Sequence, residues 1–103
     1  MSKSVIEEDL TVEGDISAKD GSIEVKGHIK GDVDANSVEV MSGGKLDGAV
    51  KADSVVIEGK QSGSISCSEL SLRATSEVTS DVTAKTMTSE KGGKLVGKIQ
   101  ITG

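Results

Sequence analysis

The 103-residue sequence contains no Phe, Tyr, Trp or Pro, and only one Cys and one His. The missing aromatics exclude a wide hydrophobic centre, because a compact globule ordinarily fills its middle with rings that each bury a large area. Whatever is buried here has to be narrow and lined by Val, Ile, Leu and Ala. The same absence removes the platforms on which bases stack, and with no Lys/Arg cluster in a chain of net charge −5, nucleic acid is not an expected partner. A single Cys67 excludes an intramolecular disulfide framework and fits a reducing, cytoplasmic setting. No apolar run approaches the ~18 residues that a membrane-spanning helix needs, and the opening MSKSVIEEDL lacks the apolar stretch of a secretory signal. The phosphate-cradling pattern G-x-x-x-x-G-K-[ST] is missing as well. These absences lead to the expectation of a soluble cytoplasmic protein that uses no nucleotide, metal or cofactor.

What is present is repetition. GDVDA at 31–35 recurs as GDISA (14–18), GAVKA (48–52), GSISC (63–67), SDVTA (80–84) and GKIQI (97–101). A unit copied along a whole chain is the signature of a stacked architecture. Its third position is always β-branched and aliphatic (Ile16, Val33, Val50, Ile65, Val82, Ile99). Its fifth is Ala18, Ala35, Ala52, Cys67, Ala84 and Ile101, and two residues before the glycine stand Val12, Ile29, Leu46, Gln61, Val78 and Leu95. Apolar pairs at V-x-V spacing follow: Ile23/Val25, Val38/Val40, Val55/Ile57 and Leu70/Leu72, with incomplete versions at Ile6/Glu8 and Met87/Ser89. Alternation at period two marks strands with one buried face, and no helical spacing is sustained.

Counting from residues 6, 23, 38, 55, 70 and 87, the units are 17, 15, 17, 15 and 17 residues long. Differences of two residues preserve the facing of side chains, whereas a slip of one would reverse it. The extra residues fall where turn chemistry is concentrated: KDGS (19–22), MSGGK (41–45), RATSE (73–77) and SEKGGK (89–94). Such units are too short for a strand, a crossover helix and a second strand. They suit one coil of short strands stacked in parallel on the next, with the right hand favoured for crossovers within one sheet. The predicted fold is all-β, a single right-handed parallel β-helix of about six coils over residues 6–101, with a short tail at 1–5 and an end at 102–103. The left-handed hexapeptide coil is disfavoured, since the aliphatics do not recur at every sixth position. The core ladder then comprises Ile16, Val33, Val50, Ile65, Val82 and Ile99 together with Ala18, Ala35, Ala52, Cys67 and Ala84, with Cys67 acting as a small hydrophobe at the tightest point.

The Gly-x-[Ile/Val]-x-Ala units, with phrases such as VEGDISA, IKGDVDANSVEV and LDGAVKADSVVIEGK, resemble the bactofilins, polymer-forming cytoskeletal proteins of bacteria. The resemblance covers about residues 5–101. It implies a right-handed β-helix that joins end to end without nucleotide, at the inner face of the cell membrane. It also implies roles in cell shape, cell-wall or motility processes through localised partners such as cell-wall enzymes and motility or membrane proteins. The flexible tails and the terminal Phe of many family members have no counterpart here. Direct membrane binding is not expected, because an acidic chain is not drawn to anionic lipid by charge.

A β-helix has two ends, and uncapped sheet edges template pairing with another chain. Neither MSKSV nor the residues after Ile101 offer a convincing lid. The expected polymer interface is therefore Ile6, Leu10, Val12 and Ile16 at one end and Met87, Leu95, Ile99 and Ile101 at the other, each end meeting its like in a second copy. The runner-up is a β-helix adaptor that does not polymerise and binds a protein along its faces. A carbohydrate-active enzyme would need a cleft that these short corners cannot build. His28 is expected at a solvent-exposed corner, and Asp15, Asp32 and Asp34 on a solvated acidic face. Gln61 and Ser80 are the two polar intruders in otherwise apolar or glycine columns.

Overall fold

The computed structural model describes residues 3–102, with the side chains of Lys3, Lys19 and Asp20 left aside. Its strands run in the order β1 (Lys3–Ile6), β2 (Thr11–Glu13), β3 (Ile16–Val25), β4 (His28–Lys30), β5 (Val33–Val40), β6 (Lys45–Lys51), β7 (Ser54–Ile57), β8 (Lys60–Ser66), β9 (Glu69–Leu72), β10 (Glu77–Ala84), β11 (Thr86–Ser89), β12 (Lys94–Val96) and β13 (Ile99–Ile101). Every pairing is parallel, and the pairings fall into three stacks. The first face takes β1, the ends of β3 and β5, then β7, β9 and β11. The second takes β2, β4, the starts of β6, β8 and β10, and β12. The third takes the starts of β3 and β5, the ends of β6, β8 and β10, and β13. The chain is thus a three-sided parallel β-helix of about six coils. It measures 29 × 25 × 20 Å, about as tall as it is broad.

The core is the set of inward columns. Val33, Val50, Ile65 and Val82 are buried on the third face, Ile29, Leu46 and Val78 on the second, and Ile23, Val25, Val38, Val40, Val55, Ile57, Leu70 and Leu72 on the first. Four members of the expected ladder differ from this in degree: Ile16, Ala18, Ala52 and Cys67 are only partly buried and pack against the core from its margin. Ile99 differs in kind, at 44% exposed, because among the described residues β13 has a partner strand on the β10 side only. Ala35, Ala52 and Cys67 border an outer groove of about 530 Å³, while Ala35 and Ala84 are themselves buried.

The closest approach between coils lies at glycine. A Cβ placed on Gly31, Gly48, Gly63 or Gly97 would overlap the carbonyl oxygen of its counterpart one coil earlier, and all of them have φ between +117° and +145°. A second column, Gly27, Gly44, Gly59 and Gly93, lies one strand earlier and is crowded by backbone carbonyls in the same manner. Its signal is a G-x-x-x-G spacing in the second, third, fourth and sixth coils, which the five-residue repeat concealed. Both columns become Ser in the fifth coil, at Ser76 and Ser80.

Coil length follows corner length. Corners 7–10, 41–44, 73–76 and 90–93 have four residues, and in each the last N–H donates to the first C=O at 2.8–3.1 Å. Corners 26–27 and 58–59 have two, and both of their N–H groups converge on one carbonyl, that of Ile6 or Val40. The first coil corrects the expected alignment. Ile6 pairs with Val25 and Ser4 with Ile23, so Ile6 is the second inward residue of its strand, not the first. The misreading arose because Lys19–Gly21 is an insertion, seen as a register shift between Ala18 and Ser22, whose length the sequence repeat did not separate from that of the corner. The described strands accordingly begin at Lys3, within the stretch 1–5 expected to be a tail, while Met1, Ser2 and Gly103 lie outside the described residues.

The two polar intruders satisfy each other. Gln61 is 2% exposed. Its Nε2 donates to the carbonyls of Gly48 at 3.2 Å and Ser62 at 3.1 Å, and its Oε1 accepts from the Ser80 hydroxyl at 2.8 Å. Removing either partner alone strands a buried polar group, which costs about 1–3 kcal/mol. The pair Gln61→Leu and Ser80→Gly restores what neighbouring coils carry in these columns. The double variant is expected to be more stable, by about 1–2 kcal/mol, than the sum of the single effects. A double-mutant cycle by urea denaturation checks this, and simple additivity would show that the hydrogen bond carries no coupling.

Candidate functional site

On the second face the Asp47 carboxylate accepts from the Ser62 hydroxyl and lies 3.0 Å from His28 Nε2. His28 is therefore half-buried and tied to the next coil, not a free corner residue, because its strand position places it diagonally beside Asp47. The Ser62 hydroxyl, then His28, hold the Asp47 carboxyl below the ordinary carboxylate range of 3.8. The aspartate sits between the other two, so the serine has no histidine to take its proton, and the trio is not a nucleophile–base arrangement. A carboxyl depressed in the folded state stabilises above its unfolded pKa and loses that contribution as pH falls through the folded one. Asp47→Asn should therefore flatten the decline in melting temperature below about pH 3.8, relative to the unsubstituted protein, in a pH series of thermal melts.

The aspartates after the glycine column do structural work. Asp15 accepts the N–H of Asp32, Asp32 that of Ala49, and Asp81 that of Lys98, at 3.2–3.3 Å. Each carboxylate thus ties one coil to the next at the second corner. Among the described residues no group of three or more His, Cys, Asp or Glu could hold a metal ion. The Cys67 thiol is pushed up to about 11 by burial, which keeps it protonated near neutral pH, unlike a reactive thiol.

The ends are different. Among the described residues β1, β2 and the start of β3 each have a parallel partner on one side only, as do β11, β12 and β13 at the opposite extremity. Each row therefore presents N–H and C=O groups along an edge. All eight residues expected at the interface lie in these two coils. Ile6, Val12, Ile16, Met87 and Leu95 are partly buried against the core. Leu10 and Ile101 are each 49% exposed, and Ile99 is exposed as noted above. Leu10 stands in the second glycine column, its carbonyl being one that a Cβ on Gly27 would meet. Sequence reasoning missed Val5 and Val96, two further exposed apolar residues of the end strands. Their signal was an aliphatic side chain at an outward position of the alternation.

The described residues thus form a parallel β-solenoid whose first and last coils carry exposed apolar side chains. A family model, Bactofilin, described as polymer-forming cytoskeletal, matches residues 4–100. The chain belongs to that family. Comparison with curated proteins and with solved structures finds no match. Among the described residues no helix is long and apolar enough to cross a membrane.

Proposed function

We propose that this protein is a bacterial cytoskeletal scaffold that self-assembles end to end, without nucleotide, and localises partner proteins for cell-shape, cell-wall or motility processes. It acts in the cytoplasm, in association with the inner face of the membrane through those partners. The observation that carries this reading is the family match over residues 4–100, on a stack whose first and last described coils carry exposed apolar side chains. A filament then needs no energy source beyond burial of apolar surface and completion of edge hydrogen bonds, at roughly 25 cal/mol per Å² of apolar area removed from water. The absence of a phosphate-loop motif from the sequence is in keeping with that economy.

Negative-stain electron microscopy of purified protein in nucleotide-free buffer should show unbranched filaments whose width is close to that of one β-helix. Sedimentation that finds only monomers at millimolar concentration would overturn the scaffold reading and leave the lateral adaptor.

A further inference from the structure

We infer that the buried Gln61–Ser80 pair is an address that marks the junction between the fourth and fifth coils, and that it keeps copies of this chain from exchanging coils as they fold. The inference concerns how one stack selects its own coils, and it stands apart from the assembly proposed above.

The need for an address arises because the inner coils are nearly interchangeable. The second coil (22–35) and the fourth (54–67) both turn from the first face to the second through a two-residue corner. The third (37–52) and the fifth (69–84) both do so through a four-residue corner. Their inward columns match as well: Val33 corresponds to Ile65, and Leu46 and Val50 correspond to Val78 and Val82, all of them buried. The third coil of one copy can therefore be laid on the fourth of another, and the fifth on the second, with corner lengths and apolar columns undisturbed. Misassembly of this kind is a characteristic failure of repeat proteins.

What distinguishes these coils is polar. Where the second coil has Ile29 the fourth has Gln61, and where the third has Gly48 the fifth has Ser80. Gln61 reaches in both directions: its Nε2 donates to the Gly48 carbonyl of the coil before at 3.2 Å, and its Oε1 accepts from the Ser80 hydroxyl of the coil after at 2.8 Å. The two residues are only 2% and 6% exposed. In the exchanged stack Gly48 of another copy takes the place of Ser80 and has no hydroxyl to give. Ser80 in turn lies over the second coil, where Ile29 carries no acceptor. The exchange leaves a buried amide oxygen without its donor and a buried hydroxyl without its acceptor, and each defect lowers its occupancy by about tenfold. Fixing register is the best-attested use of a buried polar group in an apolar seam.

Ser76, the other buried polar residue of the fifth coil, has no part in this. Its hydroxyl donates to the Arg73 carbonyl of its own corner at 2.7 Å and is satisfied whichever coil lies beneath. Among the described residues no buried side-chain nitrogen or oxygen lacks a partner, so the native order of coils meets every such group.

Trapping the exchanged stack tests the inference. Asp34, Lys51, Ser66 and Thr83 form one outward column on the third face. In a Cys67→Ser background, Asp34→Cys and Thr83→Cys stand three coils apart within one chain, roughly 14 Å, which is too far for a disulfide. They lie on adjacent strands, at ~4.8 Å, when the fifth coil of one copy sits on the second of another. Chains carrying both cysteines are unfolded in urea, refolded at high concentration and oxidised, with each single-cysteine variant as the measure of chance contact. Adding Gln61→Leu and Ser80→Gly gives the fourth and fifth coils the pattern of the second and third. That change should raise the yield of covalent dimer on a denaturing gel by about tenfold or more. The native pair Ser66→Cys/Thr83→Cys should close within single chains to the same extent with or without it. Equal dimer yields in the two backgrounds would overturn the inference, because the apolar columns alone would then keep copies apart. Gln61→Leu with Ser80→Ala provides a second variant. Loss of the β-sheet circular dichroism signal in both variants would overturn it too, since the pair would then hold the fold up instead of selecting its coils.

Discussion

Gly48→Ala is expected to lower the stability of the protein by about 4 kcal/mol, combining strain in a backbone region hostile to side chains with overpacking. That is a large share of the ~5–15 kcal/mol that holds a domain of this size together. The new methyl group would overlap the carbonyl oxygen of Gly31, and the backbone at Gly48 has φ of +138°. Neither coil can move away, because each is hydrogen-bonded along three faces to the next. Gly14→Ala separates the two effects. It has the same class of backbone conformation, at φ +123°, but nothing within 4 Å of the added atom, so only the dihedral strain of about 1–3 kcal/mol applies. Urea denaturation followed by circular dichroism measures both. Equal losses at the two positions would show that the close approach of coils is not what fixes glycine there.

Ile99→Asp should leave the fold in place and abolish long filaments. In the single chain Ile99 is 44% exposed, so a carboxylate at that position stays hydrated and the monomer tolerates it. At a joint the same carboxylate would be enclosed against apolar side chains of the second copy without a partner. Burial of an unpaired charge costs several kcal/mol, and even about 3 kcal/mol raises the assembly concentration by roughly 100-fold. Analytical ultracentrifugation with circular dichroism distinguishes the outcomes. A β-rich monomer supports the end contact, whereas persistent filaments would place the joint elsewhere. The same substitution at Val82, its neighbour one coil inward and 1% exposed, should unfold the chain instead.

Much of the fold was legible because the repeat is strict where physics allows least freedom. Val33, Val50, Ile65 and Val82 stand at one position in successive copies and are buried in one column. Less could be read where one observation had two causes. The first coil was misaligned because a four-residue corner and an insertion at Lys19–Gly21 both lengthen it, and residue counting sees only their sum. The second glycine column was overlooked because its members lie outside the five-residue motif. The partnership of Gln61 with Ser80 could not be read from either alone, since 19 residues separate them. The burial of Ile99 was overestimated for a related reason: a column position implies burial only when another coil lies on both sides.

By itself the sequence determined the parallel coil, its inward columns and the location of the apolar ends, because alternation at period two and recurrence at 15–17 residues leave few ways to hide the aliphatic residues. The tertiary structure alone decided which residues meet across coils: His28 with Asp47, Gln61 with Ser80, and each column aspartate with the next backbone N–H. Those relations depend on corner lengths and stacking register, which exist only once the coils lie on one another.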